Sequence, residues 1–271
     1  MNVIAWGAFL PTVLAALAGV AALLTITWLV GRAQQRHQVI DAAWGLGFVV
    51  VAVAAYLVSG RELGTDDTRR LVLLLLTAIW GTRLAAYLAW RMRGGEEDPR
   101  YVKILEGRGA GRDTYAIKRV YLPQAVVLLL VSGVLILGML ATTPTWWLTW
   151  VGVAVWCVGM FFETVGDWQL ARHKADPARR GTILDTGVWA WTRHPNYFGD
   201  ATVWWGLWLV TASAGWLPAL LTVLSPLLMT WALTSRTGKP LTESRMMERP
   251  GYRDYVERTS GFFPLPPRRR A

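Results

Sequence analysis

Long apolar runs separated by short charged links make up most of the chain. Seven stand out, over 4–30, 39–59, 71–90, 120–141, 146–168, 197–213 and 216–234. A helix rises about 1.5 Å per residue, so about 20 residues cross the ~30 Å hydrocarbon core of a bilayer, and most of these runs are that long. The pattern predicts an all-α, polytopic membrane helix bundle of about seven transmembrane helices. The sixth run is the shortest, and only the Ala214-Gly215 region parts it from the seventh. Merged, the two would be too long for one ordinary span, so a tight hairpin of two helices is expected. The first run lacks a basic leader and outruns a signal peptide's apolar stretch, which predicts a retained helix.

Composition agrees with a membrane protein. Hydrophobic residues make up 54% and charged residues 17%, mean hydropathy is +0.32, and there are 17 Trp and 26 Gly. Cys157 is the one cysteine, which excludes an intramolecular disulfide. The histidines His37, His173 and His194 are scattered, and no metal site is expected. A formal charge of +10 lies in the links, where topology and lipid headgroups explain it without a nucleic-acid partner.

The charge alternates from link to link. Arg32 and Arg36 follow the first run; the 91–119 link has eight basic and five acidic residues; 171–195 carries Arg172, Lys174, Arg179, Arg180 and Arg193; the tail from Ser235 has nine basic and four acidic. By contrast, 60–70 balances three Arg with three acidic residues, and 142–145 and 214–215 are uncharged. With seven spans every basic link falls on one side, which places the N-terminus outside and the C-terminus in the cytoplasm. Trp146, Trp147 and Trp150 then form an outer aromatic belt, and Arg268-Arg269-Arg270 meets solvent or cytoplasmic headgroups. The expectation is one membrane domain over 1–271, a monomer among membrane lipids, in the inner (plasma) membrane if the source is a bacterium.

Charges within apolar spans are costly and therefore informative. Arg83 lies in the third run; Glu163 and Asp167 lie four apart on one face of the fifth; Asp200 enters the sixth; Asp41 opens the second. All fall toward the cytoplasmic side, which predicts a polar cavity open there. The densest polar stretch runs from Thr192 through Arg193, His194, Asn196 and Tyr197 to Asp200, with Pro195 suited to a first helical position. A helix start with Arg193 and His194 just outside it is an anion- or cofactor-binding arrangement. In the tail, Arg236, Lys239, Glu243, Arg245 and Glu248 precede Gly251-Tyr252-Arg253-Asp254-Tyr255 and Phe262-Phe263-Pro264, a segment able to fold back over such a cavity and meet an adenine or ribose. There is no dinucleotide-binding glycine fingerprint and no P-loop.

The stretches Glu163-Thr-Val-Gly-Asp167-Trp-Gln169, Gly187-Val-Trp189 and Arg193-His-Pro-Asn196-Tyr-Phe-Gly-Asp200, with the tail Glu243…Glu248-Arg-Pro-Gly-Tyr252-Arg-Asp-Tyr255…Phe263-Pro264, resemble the DUF1295 family, itself similar to the C-terminal region of the steroid 5-alpha-reductases. The likeness is specific over 160–264. Upstream it rests on Asp41-x-x-Trp44, Trp80-x-x-Arg83 and Asp98-Pro-Arg100-Tyr101. It implies an NADPH-dependent membrane reductase that transfers hydride to an activated C=C bond of a lipid- or steroid-like, hydrophobic small molecule. The implied cofactor contacts are Glu163, Asp167, Lys174, Asn196, Asp200, Glu243 and Arg83; Arg193, His194 and Tyr197 flank them. Glu163 stands where the steroid reductases use asparagine, Asp200 where they use glutamate, and Trp80 where they use a carbonyl-polarising tyrosine. Trp80, Tyr87 and Tyr197 are the hydrogen-bond donors available for that role, and Asp41 stands near the tyrosine's acidic partner. The Arg193-His-Pro-x-Tyr197 pattern also resembles the isoprenylcysteine carboxyl methyltransferases, which implies S-adenosylmethionine as the alternative cofactor.

Overall fold

The computed structural model describes residues 3–62, 64–236, 243–244 and 246–268. Lys239, Arg245, Arg269 and Arg270, and the side chain of Arg236, lie outside the described residues. Apart from an isolated bridge between Ile4 and Ala141, the described residues form only helices, turns and loops. In chain order the helices are α1 (Trp6–Ala33), α2 (Val39–Ser59), α3 (Asp67–Arg91), α4 (Pro99–Leu105), α5 (Gly109–Met139), α6 (Trp147–Ala175), α7 (Pro195–Ala212), α8 (Trp216–Ser235) and α9 (Tyr252–Arg258).

Six of these, α1, α2, α3, α5, α6 and α8, are long and apolar enough to cross a bilayer, which makes the chain a multi-pass integral membrane protein. The seventh expected span is α7. It is helical over 18 residues, but its first turns carry Asn196, Tyr197 and Asp200, and it is not among the six. The hairpin expected between the last two runs is present as a turn at Ser213–Gly215. Inside α5 the helix widens to a π turn over Ile117–Tyr121, directly before Pro123, whose missing N–H and bulky ring do not fit a regular α ladder.

The chain divides into two compact units. Unit 1 is Met1–Thr149 with Val210–Ser225, and unit 2 is Trp150–Leu209 with Pro226–Ala271. In unit 1, α2 and α3 approach until Gly45 and Gly81 touch: a Cβ on Gly81 would lie 2.5 Å from the Gly45 carbonyl oxygen. One end of this unit gathers the N-terminus and the three links of low net charge. Thr142 N–H donates to Val3 O (3.0 Å), and Asp66 caps α3 while accepting from Thr145 N (2.9 Å). Fully buried Arg69 donates to Thr143 O (2.8 Å), Pro144 O (3.3 Å) and Ser213 Oγ (3.4 Å). At the other end the first basic links meet, with Arg36 Nη2 donating to Met92 O (3.0 Å) and Arg112 paired with Glu97. The charge alternation read along the sequence is thus a separation between two ends of unit 1.

Unit 2 is organised by α6 and α7, which run antiparallel. Going up α6, Gly152 faces Gly206, Gly159 faces Gly199, and Gly166 faces the start of α7 at Pro195 and Asn196. Small residues at this seven-residue spacing return to one helix face and let two backbones touch, the usual basis of helix association in lipid. A Cβ on Gly159 would stand 2.7 Å from Gly199 O, and one on Gly199 would stand 2.6 Å from Gly159 O. Over residues 152–166, then, α7 accompanies a membrane-spanning helix through its length.

Candidate functional site

The glycine seam determines which polar groups meet in unit 2. Glu163 and Asp167, one turn apart on α6, are buried at 2% and 6% exposure. Because α7 begins against Gly166, its first turn brings Asn196 to Asp167, and Asn196 Nδ2 donates to Asp167 Oδ1 at 3.1 Å. Asp200, one turn further along α7, is half-buried and lies beside Gly199, whose missing side chain admits the Glu163 backbone. Four residues expected to act together, Glu163, Asp167, Asn196 and Asp200, are therefore brought to one helix pair.

The loop into α7 is pinned to α6 at the same level. Gln169 Oε1 accepts from Val188 N (3.1 Å), and the Trp189 indole donates to Gly166 O (3.1 Å). The tail folds back onto this loop. Arg193 N donates to Ser260 O (2.9 Å), Leu265 N to Trp191 O (3.0 Å), Thr192 Oγ1 to Phe262 O (2.9 Å), and the Tyr255 hydroxyl to Trp189 O (2.6 Å).

At the centre of this contact is Arg193. Its Nε donates to Glu243 Oε1 at 2.9 Å, and its Nη1 donates to the carbonyls of Val256 (3.1 Å) and Thr259 (2.6 Å). His194, buried against Tyr197 in a parallel stack, places Nε2 3.1 Å from the same Glu243 oxygen. The chemistry of Arg193, His194 and Glu243 is that of a latch holding the tail, which sequence spacing alone did not separate from ligand contact. The tail tyrosines follow suit: Tyr252 and Tyr255 are buried within the protein, where burial first and neighbouring charge second hold their hydroxyls above the ordinary tyrosine range.

Burial would push the Glu243 carboxyl up, but the hydrogen bond and charge of Arg193, with His194, outweigh it and hold the group below its ordinary range. A carboxyl depressed on docking stabilises the docked tail fully above its undocked value, and that stabilisation is lost as pH falls through the lower, docked value. Protection of α9 from hydrogen exchange, taken relative to the intrinsic amide rate at each pH, is expected to hold from neutral pH down to the ordinary carboxylate range and to fall below it. Arg193→Lys, which keeps the charge but loses the planar fork, should make α9 exchange faster by one to two orders of magnitude, roughly 1.4–2.7 kcal/mol. Unchanged protection in that variant would show that the tail is held by other contacts.

Beyond the latch, Arg172 and Arg179, with Ala175 and Asp176, line an open cavity of about 540 Å³ at the end of α6. Lys174 lies exposed on the same turn. In the middle of α6, Trp156 is 6% exposed, and its indole N–H has no hydrogen-bond partner among the described residues.

The remaining candidates lie in unit 1. Trp80 is fully buried with its ring 5.7 Å from that of Phe48, which also stacks edge-on with Trp44. Tyr87 lies between Arg83 (5.8 Å) and Arg91 (5.9 Å). Asp41 accepts from the Tyr101 hydroxyl (2.5 Å) and from Arg100 Nη2 (3.0 Å). Burial, then the charge of Asp41, holds the Tyr101 hydroxyl far above its usual range, so it remains a donor. Beside this group His37, fully buried, bridges the Tyr121 hydroxyl (3.2 Å) and Asp113 Oδ1 (3.0 Å). The His37 group was not anticipated: its members stand 76 and 84 positions apart, with no local motif to link them. Among the described residues no cluster of histidine, cysteine and acidic side chains suits a metal ion.

A family model described as "Protein of unknown function (DUF1295)" matches residues 27–259. No curated protein and no solved structure matches the chain.

Proposed function

The chain belongs to the DUF1295 family, and we propose that this member is an NADPH-dependent membrane reductase acting on an activated C=C bond of a lipid-like substrate. The observation that carries the reading is the buried pair Glu163 and Asp167, with Asp167 held by Asn196 at the foot of α7. Two carboxylates retained on one face of a membrane helix are costly to keep there, and binding a polar ligand is one reason to retain them. Ribose hydroxyls and a carboxamide are donors of the right kind, and the amide of Asn196 can serve either partner. For the phosphates, Arg172 and Arg179 line an open cavity, Arg179 paired there with Asp176 (3.1 Å) and Arg172 over the Trp168 ring. Both are at exposed positions from which they can turn to an anion, whereas the more buried Arg193 guanidinium is taken up by Glu243, Val256 and Thr259. In this reading Glu163, Asp167, Asn196 and Asp200 hold the nucleoside parts, Arg172 and Arg179 with Lys174 the phosphates, and Arg193, His194 and Glu243 hold the tail in place. Bound NADPH would supply the hydride.

For the substrate, the protein must offer a hydrogen-bond donor to the carbonyl oxygen that gains charge, in a water-poor place. Trp156 meets that requirement within unit 2, since its buried indole N–H has no other acceptor among the described residues. An indole polarises but does not release a proton, so the proton that balances the hydride comes from water or a neighbouring acid.

The same reading gives α7 a full crossing alongside α6, a seventh span, with the basic links and the C-terminus in the cytoplasm where NADPH is available. A reporter active only in the cytoplasm, fused after Ala271, should be active. The reaction itself is tested in lipid nanodiscs with NADPH and a neutral-lipid extract. A lipid gaining one hydride from NADPH and one proton is expected, with Trp156→Phe slower by about 100-fold. A methylated lipid formed with S-adenosylmethionine instead would overturn the reductase reading in favour of the methyltransferase.

A further inference from the structure

We infer that Trp191, Phe263 and Leu265 form an interfacial anchor that seats the C-terminal strap in the anionic leaflet of the membrane. These three side chains are 48%, 66% and 55% exposed, although the backbone beneath them is fixed: Leu265 N–H donates to Trp191 O at 3.0 Å, and Thr192 Oγ1 donates to Phe262 O at 2.9 Å. Phe262 and Phe263 both set a ring edge-on against Phe198 (6.0 and 6.1 Å), but Phe262 is half-buried whereas Phe263 leaves most of its surface outward. The strap is also stiff, because Pro264, Pro266 and Pro267 restrict its backbone. A rigid loop that presents three large apolar side chains outward needs something apolar to receive them.

The depth of the loop identifies the receiver. Measured from Trp147, about 20 residues of α6 cross the hydrocarbon and end near Asp167, so the remainder of this 29-residue helix projects beyond it. The loop is tied to α6 at that level by the Trp189 indole on Gly166 O and by Val188 N on Gln169. Trp168, 56% exposed on α6 at the same level, has Arg172 over its ring at 5.5 Å, the arrangement of an aromatic side chain at a headgroup boundary. The patch therefore lies where hydrocarbon gives way to headgroups.

Charge selects the class of lipid. From Arg258 to the end the sequence has four arginines and no acidic residue. Arg258 is paired with Asp185, and Arg268 is exposed, with its backbone N–H on Arg258 O (3.0 Å). Exposed apolar side chains beside the exposed Arg268, in a segment whose sequence is net basic, are complementary to a leaflet containing phosphatidylglycerol or another anionic lipid.

The test uses the full chain in nanodiscs. With Cys157→Ser removing the native thiol, Pro266→Cys carries an environment-sensitive fluorophore beside the patch and leaves all three apolar side chains in place. In discs of phosphatidylglycerol and phosphatidylcholine, the emission should be blue-shifted and quenched most by lipids spin-labelled near the headgroup. Both effects should weaken in pure phosphatidylcholine and be lost with Phe263→Ser and Leu265→Ser. Phe263→Ser also removes ring contacts to Phe198 and Phe262. Leu265→Ser alone, at an exposed position, is therefore the variant whose unfolding midpoint should not move while the blue shift weakens, which separates loss of anchoring from loss of fold. Water-like emission quenched by iodide in both kinds of disc would overturn the inference. So would equal behaviour with and without phosphatidylglycerol, or label self-quenching that appears only with two copies per disc, which would assign the patch to a second chain.

Discussion

Gly199→Ala is expected to destabilise unit 2 severely, at the top of the ~1–3 kcal/mol range for overpacking or beyond it. The added methyl would meet three backbone positions at once, the Gly159 carbonyl oxygen at 2.6 Å, the Glu163 Cα at 2.8 Å and the Glu163 nitrogen closer still. None of these is the free end of a side chain, so relief requires α6 and α7 to separate. Separation would also pull Asn196 from Asp167, coupling the packing defect to the polar site. Thermal unfolding in detergent checks this, with Gly111→Ala as the control, because nothing lies within 4 Å of a Cβ built there. Equal midpoints for the two variants would mean that the helix backbones are not in contact.

The second large effect is expected on binding. Asp167→Ala and Asn196→Ala should each weaken NADPH by roughly 10- to 100-fold, the ~1.5–3 kcal/mol typical of a hydrogen bond to a charged group. Neither removes a packing element of the seam, so the unfolding midpoint should fall by far less than in Gly199→Ala. Arg193→Lys should behave differently again, acting through the tail: weaker binding would come together with faster exchange at α9. The three variants thus distinguish a residue that would contact the cofactor from one that holds the tail in place. If Asp167→Ala and Asn196→Ala both bind normally, the cofactor lies elsewhere.

Much of the fold was legible along the chain because lipid imposes a simple grammar. A run of about 20 apolar residues has few alternatives to a helix, and charge at its ends marks the boundary. The links expected on one side by charge alone do meet in unit 1, where Arg69 gathers the carbonyls of Thr143 and Pro144. The helix α7 was harder to judge, since the residues that make it interesting, Asn196 and Asp200, are those that lower its hydropathy. Its companionship with α6 through Gly152, Gly159 and Gly166 carries the case for a crossing, and that register is visible only in three dimensions.

The polar site was legible in composition but not in division of labour. Glu163 and Asp167 share a face by spacing alone, and Asn196 opens the next helix, so their meeting could be anticipated. Nothing in the spacing of Arg193, His194 and Glu243 revealed that one carboxylate would receive both cations, because Glu243 is 49 and 50 positions away. The same holds for Asp41 and Tyr101, 60 positions apart, and for His37 with Asp113 and Tyr121. Contacts of that range depend on how links fold over helix ends, which follows no short periodicity.

If the Glu163–Asp167–Asn196 cluster holds NADPH, calorimetry of the chain in detergent, titrated with NADPH and separately with S-adenosylmethionine, will register it. Saturable binding of NADPH, weakened in Asp167→Ala and absent for S-adenosylmethionine, is the predicted result. Binding of S-adenosylmethionine with none of NADPH would contradict it.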